Sequence, residues 1–141
     1  MKLIGLCAAL LSGSLLSAAG QAASPQAGAR SYAQNYKDMV LASCMAQAYR
    51  HDPGAAADAG SSIAALREWT EYDLERSPDA VQALVDSYLA RDYSHPLVEA
   101  ESPGIRFDFL KCMDLYHSKA LDELVKRLVL HPKRTSRQSR R

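Results

Sequence analysis

The chain has 141 residues, of which 48% are hydrophobic and 23% are charged. This length suits one domain with a substantial core and excludes two such domains. The near balance of 17 basic against 16 acidic residues, a formal net charge of +1, hides an uneven distribution along the chain.

The first 22 residues have the features of a secretory signal peptide. A positive start at Met1-Lys2 precedes an apolar run over residues 3–16, and small residues over 17–22 offer several cleavage positions. A transmembrane anchor is the weaker interpretation. No later apolar stretch is long enough to cross a bilayer, so we expect an exported mature protein without a membrane span.

The mature chain is predicted to begin with a disordered segment followed by an amphipathic helix. Residues 23–30 are small and polar, which is typical of a disordered terminus. The helix is predicted over residues 31–50, because Tyr36, Val40 and Cys44 recur along one side.

A second helix is predicted over residues 55–72, with Asp52 as its cap and Pro53 in its first turn. Trp69 is the only tryptophan and is predicted to be a core residue.

The start of a third helix is marked by Ser77-Pro78-Asp79, which supplies a cap, a first-turn proline and an acid at the positive helix end. This helix is predicted to end near Arg91. No alternating strand pattern occurs along the chain, so we predict an all-α fold, a small bundle of four to five helices.

A long loop is predicted between the third and fourth helices, over residues 92–106. It contains two prolines and a glycine and has no periodic apolar face. Ordered loops of this length in compact domains are often binding loops, while a mobile surface loop is the alternative. The candidate contact residues are Tyr93, Ser94, His95, Leu97, Glu99, Glu101 and Ser102.

The bundle is predicted to pack around the stretch from 107 to 130. Its first half places Cys112 beside Phe109 on an apolar stripe, and its second half is an amphipathic helix that Ser118 can cap. The predicted core positions of that helix are Leu121, Leu124, Val125 and Leu128.

The cysteine count predicts one disulfide. Cys7 lies in the predicted signal peptide, so its removal leaves Cys44 and Cys112. Both fall on apolar helix faces and are expected to pair in an oxidising compartment. Two buried free thiols are the alternative.

Acidic and basic residues are separated along the chain. One of the 17 basic residues lies in the predicted signal peptide and five lie in the last nine residues, which leaves 11 against 16 acidic residues and a body charge near −5. Either the surface is simply solvated, or an acidic face attracts a basic partner. Residues 133–141 lack an apolar anchor and are expected to form a disordered basic tail, and nucleic-acid binding is not expected.

Catalytic and cofactor motifs are not found in the sequence. It contains no Gly-rich phosphate loop, no paired metal-binding histidines and no nucleophile elbow. A Cys-His enzyme would need a free cysteine, and a metal site would need more ligands than Cys44, Cys112 and His117. We therefore predict a protein that is not an enzyme and has no metal or cofactor.

Three stretches together carry a resemblance to a known family. They read YKDMVLASCMAQAY over residues 36–49, YLARDY over 88–93 and KCMDLYHSKALDELVKR over 111–127, with 112–118 the most specific part. In these stretches the chain resembles the type VI secretion amidase immunity protein family.

The resemblance implies a small helical protein of the periplasm. Such a protein binds and blocks a cognate peptidoglycan amidase, a cysteine peptidase delivered by neighbouring or sister cells. The resemblance further implies a homodimer and a protruding loop that occludes the active-site cleft of the amidase. Residues 92–106 stand in the place of that loop, and Cys44 and Cys112 stand at the cysteines of the family.

Two other functions are compatible with the residues alone. A small helical periplasmic chaperone or stress protein with one disulfide would expose apolar surface when acid protonates its carboxylates. An adaptor of the cell envelope would instead attach through the basic tail.

Overall fold

The computed structural model describes residues 23–139, and helices make up nearly all of its regular structure. The predicted signal peptide, residues 1–22, lies outside the described residues. After a 3-10 helix, Gln26–Ala29, the helices are α1 Tyr32–Ala48, α2 Pro53–Arg67, α3 Ser77–Leu89, α4 Pro96–Glu101, α5 Asp108–Tyr116, α6 Lys119–Leu128 and α7 Ser136–Ser139. Between residues 23 and 139 no strand forms beyond two isolated bridges, so the all-α prediction is confirmed.

Helix α1 lies at the centre of the bundle and contacts α2, α3, α5 and α6. The four predicted core positions of α6 are buried. They pack with side chains from α1, α3 and α5, namely Tyr36, Val40, Cys44, Val85, Tyr88, Cys112 and Leu115.

A disulfide joins Cys44 of α1 to Cys112 of α5, as predicted. Both cysteines are fully buried, and 68 positions separate them in the sequence. The disulfide therefore fixes the central helix to α5, which follows the long connection between α3 and α5.

Two of the three predicted helix caps are confirmed. The Asp52 carboxylate accepts the Ala55 N–H at 3.1 Å, and the Ser118 hydroxyl accepts the Leu121 N–H at 3.1 Å. The prediction for Ser77 is wrong, because this residue is the first of α3 and makes no cap.

The carboxylate of Asp73 takes the position that was predicted for Ser77. It accepts the N–H groups of Glu75 and Arg76 at 3.1 and 2.9 Å and so starts the turn earlier.

Two predicted core aromatics lie nearer to the surface. Trp69 is half-buried, because α2 ends at Arg67 and the indole packs beside Gly28 of the 3-10 helix. Phe109 is 55% exposed, because the buried face of α5 is formed instead by Lys111, Cys112 and Leu115.

Within the described residues, parts of both segments that were expected to be disordered contact α1, namely residues 26–29 and 133–139. Ala27 of the 3-10 helix is buried, and its carbonyl oxygen accepts the Asn35 side-chain amide at 2.9 Å. Near the other end, the carbonyl oxygens of Pro132 and Arg134 accept the Ala33 and Tyr32 N–H groups at 3.0 and 2.8 Å. These N–H groups lie in the first turn of α1, which has no acceptors of its own for them, so the tail completes that turn.

No helix within residues 23–139 is both long and apolar enough to cross a membrane.

Candidate functional site

The connection between α3 and α5, residues 92–106 (the 92–106 segment), stands apart from the helix contacts that build the bundle. It was predicted as an irregular loop, but it contains the six-residue helix α4, which begins at Pro96. Proline is favoured in a first turn because it has no N–H to satisfy. The carboxylate of Glu99 accepts the His95 N–H at 2.8 Å and stabilises the start of this helix.

The predicted contact residues fall into two groups along this segment. Tyr93, Ser94 and His95 line a groove of about 390 Å³ together with Phe107 and Leu110. The remaining four lie on α4 or directly after it, namely Leu97, Glu99, Glu101 and Ser102. Tyr93 and Glu99 are half-buried, and the other five predicted residues are exposed.

Leu97 is the most exposed large hydrophobic side chain of the segment, with 76% of its surface accessible. When a partner buries an apolar side chain that is this exposed, the free energy of the complex is lowered. Leu97 lies on α4, a six-residue helix that takes little part in the packing of the bundle.

The two ends of the 92–106 segment are held against α5. The Tyr93 hydroxyl donates to the Asp114 carboxylate at 2.5 Å, and this hydrogen bond raises the pKa of Tyr93. At the other end, the Arg106 guanidinium pairs with the Asp108 carboxylate at 3.2 Å. The Lys111 ammonium also contacts that carboxylate, at 3.1 Å. The segment is therefore exposed but attached at both ends.

An apolar surface adjoins this segment, formed by Tyr49, Ile105, Phe109 and Leu110 (the apolar flank). All four side chains are exposed, and they line one groove of about 480 Å³. Phe107 lies between them with φ of 55°, a left-handed conformation that is uncommon for a bulky residue. The backbone there turns sharply into α5.

The apolar flank was missed by the sequence analysis, although the sequence contains a signal for it. Leu110 directly follows Phe109 and lies two residues before Cys112, and helical residues two apart lie on nearly opposite sides of the helix. Since Cys112 and Leu115 define the buried face of α5, at least one of these two side chains had to point outward.

Charge around the segment is mainly negative. Asp92 and Glu101 are exposed, while the carboxylate of Glu99 is engaged at the start of α4. They belong to a body that carries 16 acidic and 11 basic residues over 23–132. Such a surface attracts basic partners and speeds their approach.

The side chains of residues 23–139 offer no group of three or more His, Cys, Asp or Glu that could bind a metal ion. Both cysteines of this range are consumed by the disulfide, so neither is available as a nucleophile. What the arrangement presents is an exposed helix-bearing segment, an apolar flank and negative charge, which suit contact with another macromolecule.

Comparison with known proteins gives one family match. The family model for Tai4, described as type VI secretion system amidase immunity protein, matches residues 34–125. No curated protein matches the chain in sequence.

Two solved structures resemble the fold. One, from work on new type VI-secreted toxins and self-resistance proteins in Serratia marcescens, has a TM-score of 0.71 and 29% identity, covering 85% of this chain and 97% of that one. The other belongs to the effector–immunity system Tae4/Tai4 from Salmonella typhimurium, as a selenomethionine variant. It has a TM-score of 0.63 and 24% identity, covering 74% of this chain and 96% of that one.

Proposed function

The chain belongs to the type VI secretion system amidase immunity protein family, and from that premise we propose that it occludes the active-site cleft of its cognate amidase with the 92–106 segment. It is an immunity protein and not an enzyme. The proposed target is a peptidoglycan amidase delivered into the periplasm by neighbouring or sister cells, and the proposed outcome is protection of the cell wall.

The observation that carries the proposal is the exposure of a segment that is nevertheless attached at both ends. A cleft is blocked when a partner fills it and excludes substrate, and no reaction is needed. A segment whose ends are fixed loses less conformational entropy on binding than a free peptide does. Leu97 supplies apolar area to bury, and the apolar flank extends this surface along α5.

Inhibition is expected to depend on Leu97. Replacing Leu97 by Glu puts a charge where we propose that apolar area is buried, so we expect inhibition of the amidase to weaken about tenfold or more. The measurement is residual peptidoglycan hydrolysis by the cognate amidase, titrated with each variant.

Leu74→Glu is the matched control, because Leu74 is 65% exposed and lies before α3, at the far end of that helix from the 92–106 segment. It should inhibit like the wild type. Full inhibition by a variant in which residues 94–102 are scrambled would count against the segment as the occluding element.

Export and dimerisation are further parts of the proposal. The apolar run over residues 3–16 supports a cleaved signal peptide, and a disulfide between Cys44 and Cys112 suits an oxidising compartment such as the periplasm. A homodimer would carry two copies of the 92–106 segment, one on each subunit. Cell fractionation with N-terminal sequencing tests the first part, and light scattering of the purified protein tests the second. A cytoplasmic uncut chain or a monomer would refute the corresponding part.

The exposed apolar flank also favours a second candidate, a periplasmic chaperone that binds unfolded clients. The two functions differ in selectivity. A chaperone would suppress aggregation of unrelated proteins, increasingly so in acid, whereas an immunity protein acts on one amidase. The family match favours the immunity function.

A further inference from the structure

Lys111 is a buried lysine at the base of the 92–106 segment. The residue is only 4% exposed, and lysine is rarely buried without partners. Its ammonium donates to the Asp108 carboxylate at 3.1 Å and to the Leu89 carbonyl oxygen at 3.2 Å, and it lies 5.9 Å from the centre of the Tyr93 ring. A buried charge is tolerated only while such contacts persist, so they restrict the surrounding geometry.

The groups that surround this ammonium come from both ends of the 92–106 segment. Leu89 is the last residue of α3, and Tyr93 is the second residue of the segment. Asp108 is the first residue of α5 and also pairs with Arg106, the last residue of the segment. One cation therefore contacts the entry and the exit of the segment at once.

We propose that Lys111 is a positioning residue, whose buried ammonium holds the two ends of the 92–106 segment together and so sets the geometry that fits the amidase cleft. This inference rests on the proposed function. Because Lys111 is buried, it acts on the partner through the segment and not by touching the partner itself. Without the ammonium, Asp108 retains only the largely exposed Arg106 guanidinium, and an exposed ion pair contributes little.

Lys111→Met tests this role, since methionine keeps an unbranched apolar stem and lacks the charge. Lys126→Met is the matched control. Lys126 also pairs with an acid three residues earlier on its helix, Glu123 at 2.7 Å, but both side chains are exposed and lie on α6. Each variant removes one acid–lysine pair of the same spacing, and only the first removes a buried one.

The first measurement needs no amidase. In the wild type the N–H groups of Val98 and Glu99 donate to the His95 carbonyl oxygen at the start of α4, and that of Ser102 donates to the Val98 carbonyl oxygen at its end. In Lys111→Met we expect their hydrogen exchange to speed up about tenfold or more, because the segment opens more often, while Lys126→Met leaves it unchanged. Wild-type exchange rates in a folded Lys111→Met protein would overturn the proposal.

The second measurement is a double-mutant cycle on inhibition. Alone, Lys111→Met should weaken inhibition of the amidase about tenfold, and it should have no further effect once residues 94–102 are scrambled. Independent, additive losses would overturn the proposal, because a lysine that acted elsewhere would not need the segment. Failure of the wild type to inhibit would refute the proposed function, and hydrogen exchange would still decide the role of Lys111.

A second variant keeps the test open if Lys111→Met does not fold. Asp108→Asn retains the ammonium and the shape of its partner while removing the negative charge. It should change both measurements in the same direction as Lys111→Met, by a smaller factor. Unchanged exchange and inhibition in this variant would count against the proposal.

Discussion

At the scale of single residues, one buried hydrogen bond connects the central helix to α3. Tyr36 is fully buried, and its hydroxyl lies 2.7 Å from the hydroxyl of Ser77, which is buried as well. Burial raises the pKa of Tyr36, and the hydrogen bond to Ser77 offsets part of that rise. The neutral phenol is therefore the form that stabilises the fold.

Tyr36→Phe should change the response of stability to alkali. The unfolded phenol ionises near its ordinary pKa of about 10, while the folded protein keeps it protonated to higher pH. The unfolded state then binds fewer protons, so the free energy of unfolding falls as pH rises above that value. The variant should lose about 1–2 kcal/mol at neutral pH and then fall less steeply with pH. Urea unfolding at neutral pH and at about pH 11 measures both effects.

Ser77→Ala is the control for this prediction. It removes the same hydrogen bond and keeps the phenol, so it should match the loss at neutral pH and retain the steep alkaline loss. If Tyr36→Phe and the wild type lose stability in parallel between the two pH values, the buried phenol does not control the alkaline response.

At the scale of elements, the helices that carry their own apolar periodicity could be predicted from the sequence. The predictions for α1, α3 and α6 rest on side chains such as Val40 and Leu124, which repeat at helical spacing and are buried. The short elements could not be predicted in this way. The 3-10 helix, α4 and α7 have too few residues to show a period, and their contacts include main-chain carbonyls and N–H groups, which every residue type carries.

The candidate site, too, could be predicted from the sequence only in part. The 92–106 segment was predicted as a binding element from its length and its prolines. Its attachment could not be predicted, because the contacts of Lys111 with Leu89 and Asp108 depend on how α3 and α5 pack. Helical periodicity likewise placed Phe109 near Cys112, and only the packed bundle shows which side of α5 is covered.

Removing the tail, residues 133–141, should destabilise the bundle. The deletion takes away the Arg134 carbonyl oxygen that accepts the Tyr32 N–H in the first turn of α1, together with the buried Ser136. Because one such unsatisfied group costs about 1–3 kcal/mol, thermal unfolding should shift down by several degrees. Inhibition of the amidase at low temperature should persist.

A variant with all five basic residues of the tail changed to Gln separates backbone from charge; they are Lys133, Arg134, Arg137, Arg140 and Arg141. It keeps every main-chain hydrogen bond of the tail and removes the basic side chains. Its melting temperature should equal that of the wild type. If this variant and the deletion are equally destabilised, the basic charge of the tail, and not its backbone, supports the fold.

At the scale of the whole molecule, the stability of the fold and the geometry of the 92–106 segment depend on different interactions, a disulfide and a set of polar contacts. The disulfide joins α1 to α5 across the core and closes a loop of 68 positions. The 92–106 segment is attached to α5 through Tyr93–Asp114 and Arg106–Asp108, and the Lys111 ammonium joins Asp108 to the Leu89 carbonyl oxygen of α3. The disulfide therefore stabilises the bundle as a unit, while these polar contacts position the segment that we propose meets the partner.

This separation predicts opposite outcomes for two variants. Cys44→Ala/Cys112→Ala should lower the free energy of unfolding by about 4 kcal/mol, because a loop of this length is no longer closed in the unfolded chain. Where it remains folded, it should inhibit the amidase within about threefold of the wild type, because neither cysteine takes part in the polar contacts that hold the 92–106 segment. Lys111→Met should do the reverse, with a large loss of inhibition and a smaller loss of stability.

Calorimetry and inhibition assays on both variants, with and without reductant, decide whether the disulfide and the polar contacts around Lys111 act independently. Reductant should lower the stability of the wild type towards that of the double alanine variant and should leave that variant unchanged. Equal stability of the wild type and the double variant would remove the disulfide as the main link of the bundle. Loss of inhibition by a fully folded double variant would mean that the disulfide also sets the geometry of the 92–106 segment, because α5 would then need its link to α1 to present that segment.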